Sequence, residues 1–236
     1  IVGLVGAVSF AAVHALAILP IWSRIPAVLI QAVPVGIAFA WAFEHLAHVR
    51  GWRTAAHGAH VRFAHPTHTT ASLGITPGMK IADFGSGSGA YVLAIAETLC
   101  NSGKVYAIDV QRDLLRKTKN EAHKRGYKNV EIIWGDLEHS GATKIADGAL
   151  DMVLVSNLLF QINEKNAVMR EARRILKPGG RLVIIDWSDS FGGIGPQEVD
   201  VVTKEAAESL AISNGFELVR EFPVGSHHYG LVFRGK

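Results

Sequence analysis

The chain has 236 residues, 49% of them hydrophobic and only 19% charged, with a formal net charge of +3. That is too apolar for a disordered chain, and so small a charge excess gives no ground to expect a nucleic-acid partner. The single cysteine, Cys100, excludes an internal disulfide framework and any cysteine-cluster metal site.

The apolar excess is concentrated at the start. Residues 1–23 contain no Asp, Glu, Lys or Arg; Arg24 follows, and residues 25–43 are again free of them. Each stretch reaches the ~20 residues a helix needs to cross a bilayer core. Between them, Trp22-Ser23-Arg24-Ile25-Pro26 supplies an aromatic, a charge and a helix breaker, which suits a turn at a membrane interface. Pro34 lies inside the second stretch, where a membrane helix tolerates it. Residues 1–49 are therefore read as two transmembrane helices, with membrane attachment through residues 1–43. A signal peptide fits less well, because a second apolar stretch follows the first and no basic segment leads it. The sequence starts at Ile1 rather than Met, so residues upstream are allowed for. A buried hairpin in a soluble protein is the other alternative. Arg50, Arg53 and Arg62 follow the second stretch, against Arg24 alone between the two. The positive-inside rule then places the bulk of the chain on the cytoplasmic side of the membrane.

Residues 50–72 read as a His-rich juxtamembrane linker. His45, His48, His57, His60, His65 and His68 form three pairs, each spaced i,i+3. On a helix that spacing puts both rings on one face. With no carboxylate in the run beyond Glu44, no metal site is expected. Pro66 is predicted to end any helix near His65.

The third segment, residues 73–236, alternates strand and helix. Met79 to Phe84 is a short apolar strand, followed by a glycine-rich turn and a helix from Ala90 to Leu99. Lys104 to Val110 is a second strand, Gln111 to Arg125 a charged helix, and Asn129 to Trp134 a third strand. Leu150 to Val155 is the fourth strand, and Asn163 to Leu176 an amphipathic helix closed by Lys177-Pro178-Gly179-Gly180. Arg181 to Asp186 is the fifth strand, and Glu198 to Asn214 a helix ending at Gly215. Phe216 to Glu221 and His228 to Phe233 close the chain as two strands. The alternation predicts an α/β fold: a Rossmann-like, mostly parallel sheet of seven strands with helices on both faces and one antiparallel strand at or near an edge.

The chemistry gathers at the first strand–turn–helix. Asp83-Phe84-Gly85-Ser86-Gly87-Ser88-Gly89-Ala90 follows a strand and opens a helix. Glycines there permit φ > 0 and close approach of a ligand to the backbone. Asp109 ends the second strand, where a carboxylate can accept both hydroxyls of a ribose. These features alone also satisfy a dinucleotide fingerprint, so a nicotinamide cofactor stays open at this point. Asp83, two residues before the first glycine, would repel a pyrophosphate and suits a cationic ligand. Gly135-Asp136-Leu137 follows the third strand, where Asp136 could accept from an adenine amino group or simply cap a helix.

Together with Leu176-Lys177-Pro178-Gly179-Gly180-Arg181-Leu182, these motifs make residues 70–236 resemble the class I S-adenosylmethionine-dependent methyltransferases, nearest to the ubiquinone/menaquinone-biosynthesis branch. The resemblance does not extend to residues 1–50. It implies S-adenosyl-L-methionine as cofactor. It implies that Asp83, Gly85, Ser86, Gly87 and Gly89 hold the methionine part, with Ser86 standing where many relatives carry cysteine. It implies that Asp109 binds the ribose with Val110 beside the adenine, and that Asp136 and Leu137 lie at the adenine edge. Ser156 and Asn157, just after the fourth strand, match the place where the chain passes the methyl-transfer centre; as plain turn residues they would carry no such role.

Displacement at a sulfonium methyl needs mainly alignment and exclusion of water. A general base is required only where the acceptor must lose a proton. The candidates are His65, His68, His227, His228 and Tyr229, any of which could equally be structural. The lone Cys100 speaks against thiol-based arsenic chemistry, which in that branch relies on several cysteines. A membrane hairpin would hold the site near lipid, so a small-molecule or lipid acceptor is expected, with oligomeric state open. Two alternatives are an NAD(P)-dependent oxidoreductase on the same fold and a non-catalytic cofactor-binding protein.

Overall fold

A computed structural model describes residues 64–139, 141–191 and 195–236. The two apolar stretches, and His45, His48, His57 and His60, lie outside the described residues, and so does the expectation of a membrane hairpin. Among the described residues no helix is long and apolar enough to cross a membrane.

Seven strands form one sheet: β1 (Lys80–Phe84), β2 (Lys104–Asp109), β3 (Val130–Trp134), β4 (Leu150–Ser156), β5 (Leu176–Trp187), β6 (Phe216–Pro223) and β7 (His228–Gly235). Their order across the sheet is β3-β2-β1-β4-β5-β7-β6. The first five run parallel, and β7 pairs antiparallel with both β5 and β6. The expected antiparallel strand is thus one position in from the edge, because the hairpin folds β7 back between β5 and β6.

Alternation along each strand sends side chains to two cores. Ile81, Val105, Met152, Leu154 and Val183 pack with α2 (Ala90–Leu99) and with Leu115 of α3 (Arg112–Lys124). Ala82, Phe84, Val153, Leu182 and Leu231 pack on the other face. There they meet α4 (Lys165–Ile175) through Val168 and Met169, and α5 (Lys204–Ser213) through Ala207 and Ala211. Each fully buried aliphatic side chain contributes roughly 1.5–3 kcal/mol. The central strands are covered on both faces, which is why they read as nearly continuous apolar runs.

The departures from the sequence expectation have local causes. Pro66 opens a helix rather than ending one: α1 (Pro66–Ser72) has Pro66 in its first turn and His65 as N-cap, since proline's missing N–H costs nothing there. β5 begins at Leu176, not Arg181. Leu176 pairs with Leu150, and a register shift then carries Lys177-Pro178-Gly179-Gly180 past Asp151 before Arg181 meets Met152. The single helix expected over 198–214 is broken into a 3-10 turn (Glu198–Asp200) and α5. Thr203 starts α5 as an N-cap, its hydroxyl accepting from the Ala206 N–H at 3.2 Å, a role that favours Thr at a boundary.

The chain after β3 is tied to α4. The buried Glu171 carboxylate accepts from the Thr143 hydroxyl at 2.6 Å and from the Gly141 N–H at 3.2 Å, and pairs with Arg174 at 2.8 Å. These bonds hold the Glu171 carboxyl below its ordinary range despite its burial. They also fix the segment that follows Gly135 and Asp136.

Candidate functional site

The order of strands reverses between β1 and β4, so the crossovers lead away on either side and leave a crevice at the strands' C-terminal ends. A cavity of about 430 Å³ occupies that place. One wall is the first turn and the end of β2, with Gly85, Gly87, Asp109 and Val110. A second follows β3, with Gly135, Asp136 and Leu137. The third follows β4, with Leu158, Gln161 and Ile162.

The glycine-rich turn is built on β2. The N–H groups of Gly85 and Ser86 both donate to the Ile108 carbonyl, at 2.9 and 3.0 Å. Gly87 (φ +51) and Gly89 (φ +80) lie in the left-handed region. They need glycine for different reasons. A Cβ on Gly89 would meet Thr118 of α3 at 2.4 Å, so packing forbids it. A Cβ on Gly87 would meet nothing nearer than 4.0 Å; it would project into the open crevice.

Asp109 is pinned by two backbone N–H donors, from Gly87 to Oδ2 and from Gln111 to Oδ1, both at 2.8 Å. Such a carboxylate is held in one orientation and keeps lone pairs for a diol. Val110 beside it is 53% exposed on the cavity wall. Its carbonyl accepts from the Trp134 indole at 2.9 Å, and the Arg112 guanidinium lies 4.0 Å over the Trp134 ring. Asp136 caps no helix. Its Oδ1 accepts from the Glu138 N–H at 3.0 Å and Oδ2 meets His139 Nδ1 at 3.1 Å, closing a turn that buries Leu137.

Asp83 is only 2% exposed, and its buried Oδ1 has no hydrogen-bond partner. Burial, with the nearby Asp109 charge adding to it, raises the Asp83 carboxyl to about 8. The Ser86 hydroxyl and the Asn157 amide oxygen are likewise buried without partners. Tyr91, in the first turn of α2, is buried with its hydroxyl beside Thr69 and Ser156 and is pushed up to about 12, chiefly by burial. Asp83, Ser86 and Asn157 thus place buried polar atoms without partners around the turn, with Tyr91 and Ser156 beside them, a rare situation that calls for a reason.

The candidate bases are not gathered at the cavity. His65 and His68 sit at the start of α1 with rings 5.0 Å apart. The Tyr229 hydroxyl donates to the Val202 carbonyl at 3.0 Å within the α4/α5 core, and burial raises it above its ordinary range. That bond makes it a structural tyrosine. His228 stacks on Trp187 at 4.2 Å, and burial pulls its imidazole down to about 4. His227 shares its Nδ1 with the Asp189 carboxylate at 2.9 Å, beyond the end of β5.

Two residues escaped the sequence reading. Leu158 packs so closely on the first turn that a Cβ on Gly85 would lie 2.6 Å from it. Asp186, 1% exposed, accepts from the N–H groups of Leu159 at 2.9 Å and Trp187 at 2.8 Å. A signal existed for Asp186: it ends an apolar strand in the same way that Asp109 does.

Comparison with known proteins agrees with this geometry. A family described as a methyltransferase domain matches residues 75–220. An arsenite methyltransferase of Aquipseudomonas alcaligenes is 35% identical over 114 residues, covering 46% of this chain and 33% of that protein. The ubiquinone/menaquinone biosynthesis C-methyltransferase UbiE of Hahella chejuensis is 28% identical over 139 residues, covering 58% of this chain and 55% of that protein. The chain therefore spans between a third and just over half the length of these two relatives. A crystal structure of a SAM-dependent methyltransferase from Aquifex aeolicus superposes with a TM-score of 0.66 at 26% identity, over 72% of this chain and 89% of that one. The [4+2]-cyclase SpnF shares the fold alone, with a TM-score of 0.61 at 19% identity over 72% of this chain and 79% of that one.

Proposed function

The chain belongs to the methyltransferase-domain family, and from that premise we propose that it is an enzyme using S-adenosyl-L-methionine to methylate a small, lipid-soluble acceptor at a membrane surface. The observation that carries the cofactor is the buried, unpartnered carboxyl of Asp83 beside a glycine turn whose Gly87 leaves room for a ligand. A nucleoside carrying a cationic amino acid fits this donor set. Asp109 would hold the ribose, and Val110 and Leu137 would flank the base. Asp136 keeps acceptor capacity at the base's edge. Asp83, Ser86 and Asn157 offer the amino-acid end its polar partners. A cationic group would favour ionisation of the Asp83 carboxyl, whereas a pyrophosphate would press it further toward its neutral form, which makes the nicotinamide alternative the poorer match.

When bound, the cofactor supplies an electrophilic methyl on a sulfonium whose leaving group is neutral. The protein's part is alignment and dryness. Leu158 and Ile162 present apolar surface to the crevice, and the Asp109 carboxylate, fixed by two N–H donors, would set the ligand's register. A proton must be removed only for an acceptor such as a phenol or carbon acid. His227, whose Nδ1 is held by the Asp189 carboxylate, is the candidate for that step.

The acceptor class rests on two supports. The similar UbiE proteins are named for quinone biosynthesis. Residues 1–23 and 25–43, both free of Asp, Glu, Lys and Arg, suit a tether to the bilayer, with the catalytic domain on the cytoplasmic side by the positive-inside rule. Arsenic as acceptor is less apt, because the sole cysteine, Cys100, is exposed at the C-terminal end of α2, away from the turn at its N-terminal end. The test incubates the purified chain and its host membranes with methyl-labelled cofactor. Label should enter the lipid-extractable fraction; label confined to protein or to water-soluble products would overturn the acceptor class. Washing the membranes with carbonate should leave the chain attached, and its release would overturn the tether.

A further inference from the structure

We propose that Asp186 is a positioning residue: its buried carboxyl holds the chain after β4 so that Leu158 closes against the glycine-rich turn and forms one wall of the cofactor crevice. This rests on the cofactor reading above and adds a residue outside the motifs that carry it.

The argument starts at Asn157. As the chain leaves β4 it takes φ +50 there, a left-handed conformation that asparagine adopts more readily than other non-glycine residues and that local bonds fix here. The holding bonds are visible. The Asn157 N–H donates to the Ile185 carbonyl at 2.8 Å, and Gln161 Nε2 donates to the Asn157 carbonyl at 2.9 Å. The next two N–H groups, of Leu158 and Leu159, point at Asp186 on the neighbouring strand, Leu159 at 2.9 Å. With the Trp187 N–H, three backbone donors converge on one carboxyl. Leu158 is thereby turned toward Gly85, whose missing Cβ leaves the space it fills. Leu158, Gln161 and Ile162 all line the cavity, so the bonds to Asp186 set the position of that wall.

A buried carboxylate is an expensive way to satisfy N–H groups. Burial raises Asp186 to about 6, against the pull of its three N–H partners. The charged and titratable groups facing it are Lys165 of α4, which favours the carboxylate, and Tyr229 of β7, whose own ionisation it opposes. Above about pH 6 the ionised form makes charge-assisted bonds to the loop; below it, protonation weakens them.

The test uses the full chain and S-adenosylhomocysteine as probe, measured calorimetrically from pH 5 to 8, with Asp186→Asn as variant and thermal unfolding as control. Asn keeps an acceptor while removing the charge. The expected result is about a tenfold weaker Kd for the variant at pH 7.5 and a ratio to wild type that narrows toward one below pH 5.5, with a modest fall in Tm, since Oδ1 and Oδ2 each accept an N–H and the amide keeps only one acceptor. Taking the ratio cancels the titration of Asp83, common to both proteins. A merely structural Asp186 would lower Tm and leave the Kd ratio at one across the range, and that would overturn the proposal. Should the variant not fold, wild type alone decides. The amide resonances of Leu158 and Leu159 should move together with pH between 5 and 7 and shift again when the probe binds; amides indifferent to either would overturn it equally. Wild type that binds no probe at any pH would overturn the cofactor reading and this inference with it, whereas binding with equal Kd in both proteins removes the inference alone.

Discussion

Asp83 and Asp186 are the last residues but one of β1 and β5, on either side of β4, and both are almost fully buried. They face opposite sides of the sheet: Asp83 lies on the α2 face with Ile81, and Asp186 lies on the α4/α5 face opposite Tyr229. Their surroundings differ in one decisive way. Asp186 is answered by backbone N–H groups of its own chain, while Asp83 keeps a buried oxygen that nothing in the protein answers. The first arrangement is what a fold does to hold a loop. The second costs stability and calls for a reason, which a bound ligand supplies on the proposed function. On the proposed function the crevice has a ligand-directed half on β1 and β2 and a self-directed half on β4 and β5, and substitutions should separate them.

The largest effect is expected at Gly87. Gly87→Val puts a branched side chain into the crevice at a φ that valine tolerates poorly. Cofactor binding should weaken beyond about 100-fold by calorimetry, with the far-UV spectrum of the folded domain retained. Normal affinity would show that the turn does not face the ligand. Asp109→Ala should follow, with a loss of about 1.5–3 kcal/mol in cofactor binding as charge-assisted bonds to the ribose disappear. Unchanged affinity would remove Asp109 from the site.

Asp83→Asn sharpens the comparison most, because its two effects have opposite signs. Affinity should fall by about 1–2 kcal/mol with the lost charge. Stability should rise. The folded-state carboxyl titrates near 8 against an ordinary 3.8, so between those values the folded chain holds a proton that the unfolded chain has released. Wild-type stability therefore declines as pH rises from about 4 to about 8 and is level above. The Asn variant should lack that decline and be more stable by about 1–3 kcal/mol at pH 8, read as a Tm higher by about 3–9 °C. A variant less stable than wild type at pH 8 would mean that Asp83 has a partner within the fold. The remaining effect, on stability, belongs to the self-directed half. Asp186→Ala strands its N–H partners and should cost about 1–3 kcal/mol of stability. Equal Tm for Asp186→Ala and Asp83→Asn would erase the distinction between the halves.

The ligand-directed half was legible in the sequence because its signals are local. Asp83 to Gly89 is one contiguous turn, and Asp109 and Asp136 each follow a recognisable apolar strand. The mostly parallel sheet and the β6–β7 hairpin were also legible, from alternation and turn residues. The self-directed half was not. Asp186 acts on Leu159 across 27 positions of sequence, through a pairing of β4 with β5 that only the folded sheet creates. Boundaries failed where tertiary pairing overruled propensity, as at Leu176, whose strand begins before the Lys177-Pro178-Gly179-Gly180 turn because Leu150 is there to pair with it. The bases were hardest to place: histidine and tyrosine near the chain's end look alike in sequence, whether they face a ligand or, like Tyr229, bond a carbonyl within the core.

The central claim is that the crevice between β1 and β4 is built for a cationic nucleoside. Isothermal titration of the wild-type chain with S-adenosylmethionine, and separately with NAD, tests it most directly. The predicted result is one saturable site for S-adenosylmethionine that tightens as pH rises from 6 to 8, as the Asp83 carboxyl ionises, with no comparable heat from NAD. Binding of NAD with equal or greater affinity, or no binding of S-adenosylmethionine at any pH, would contradict the account.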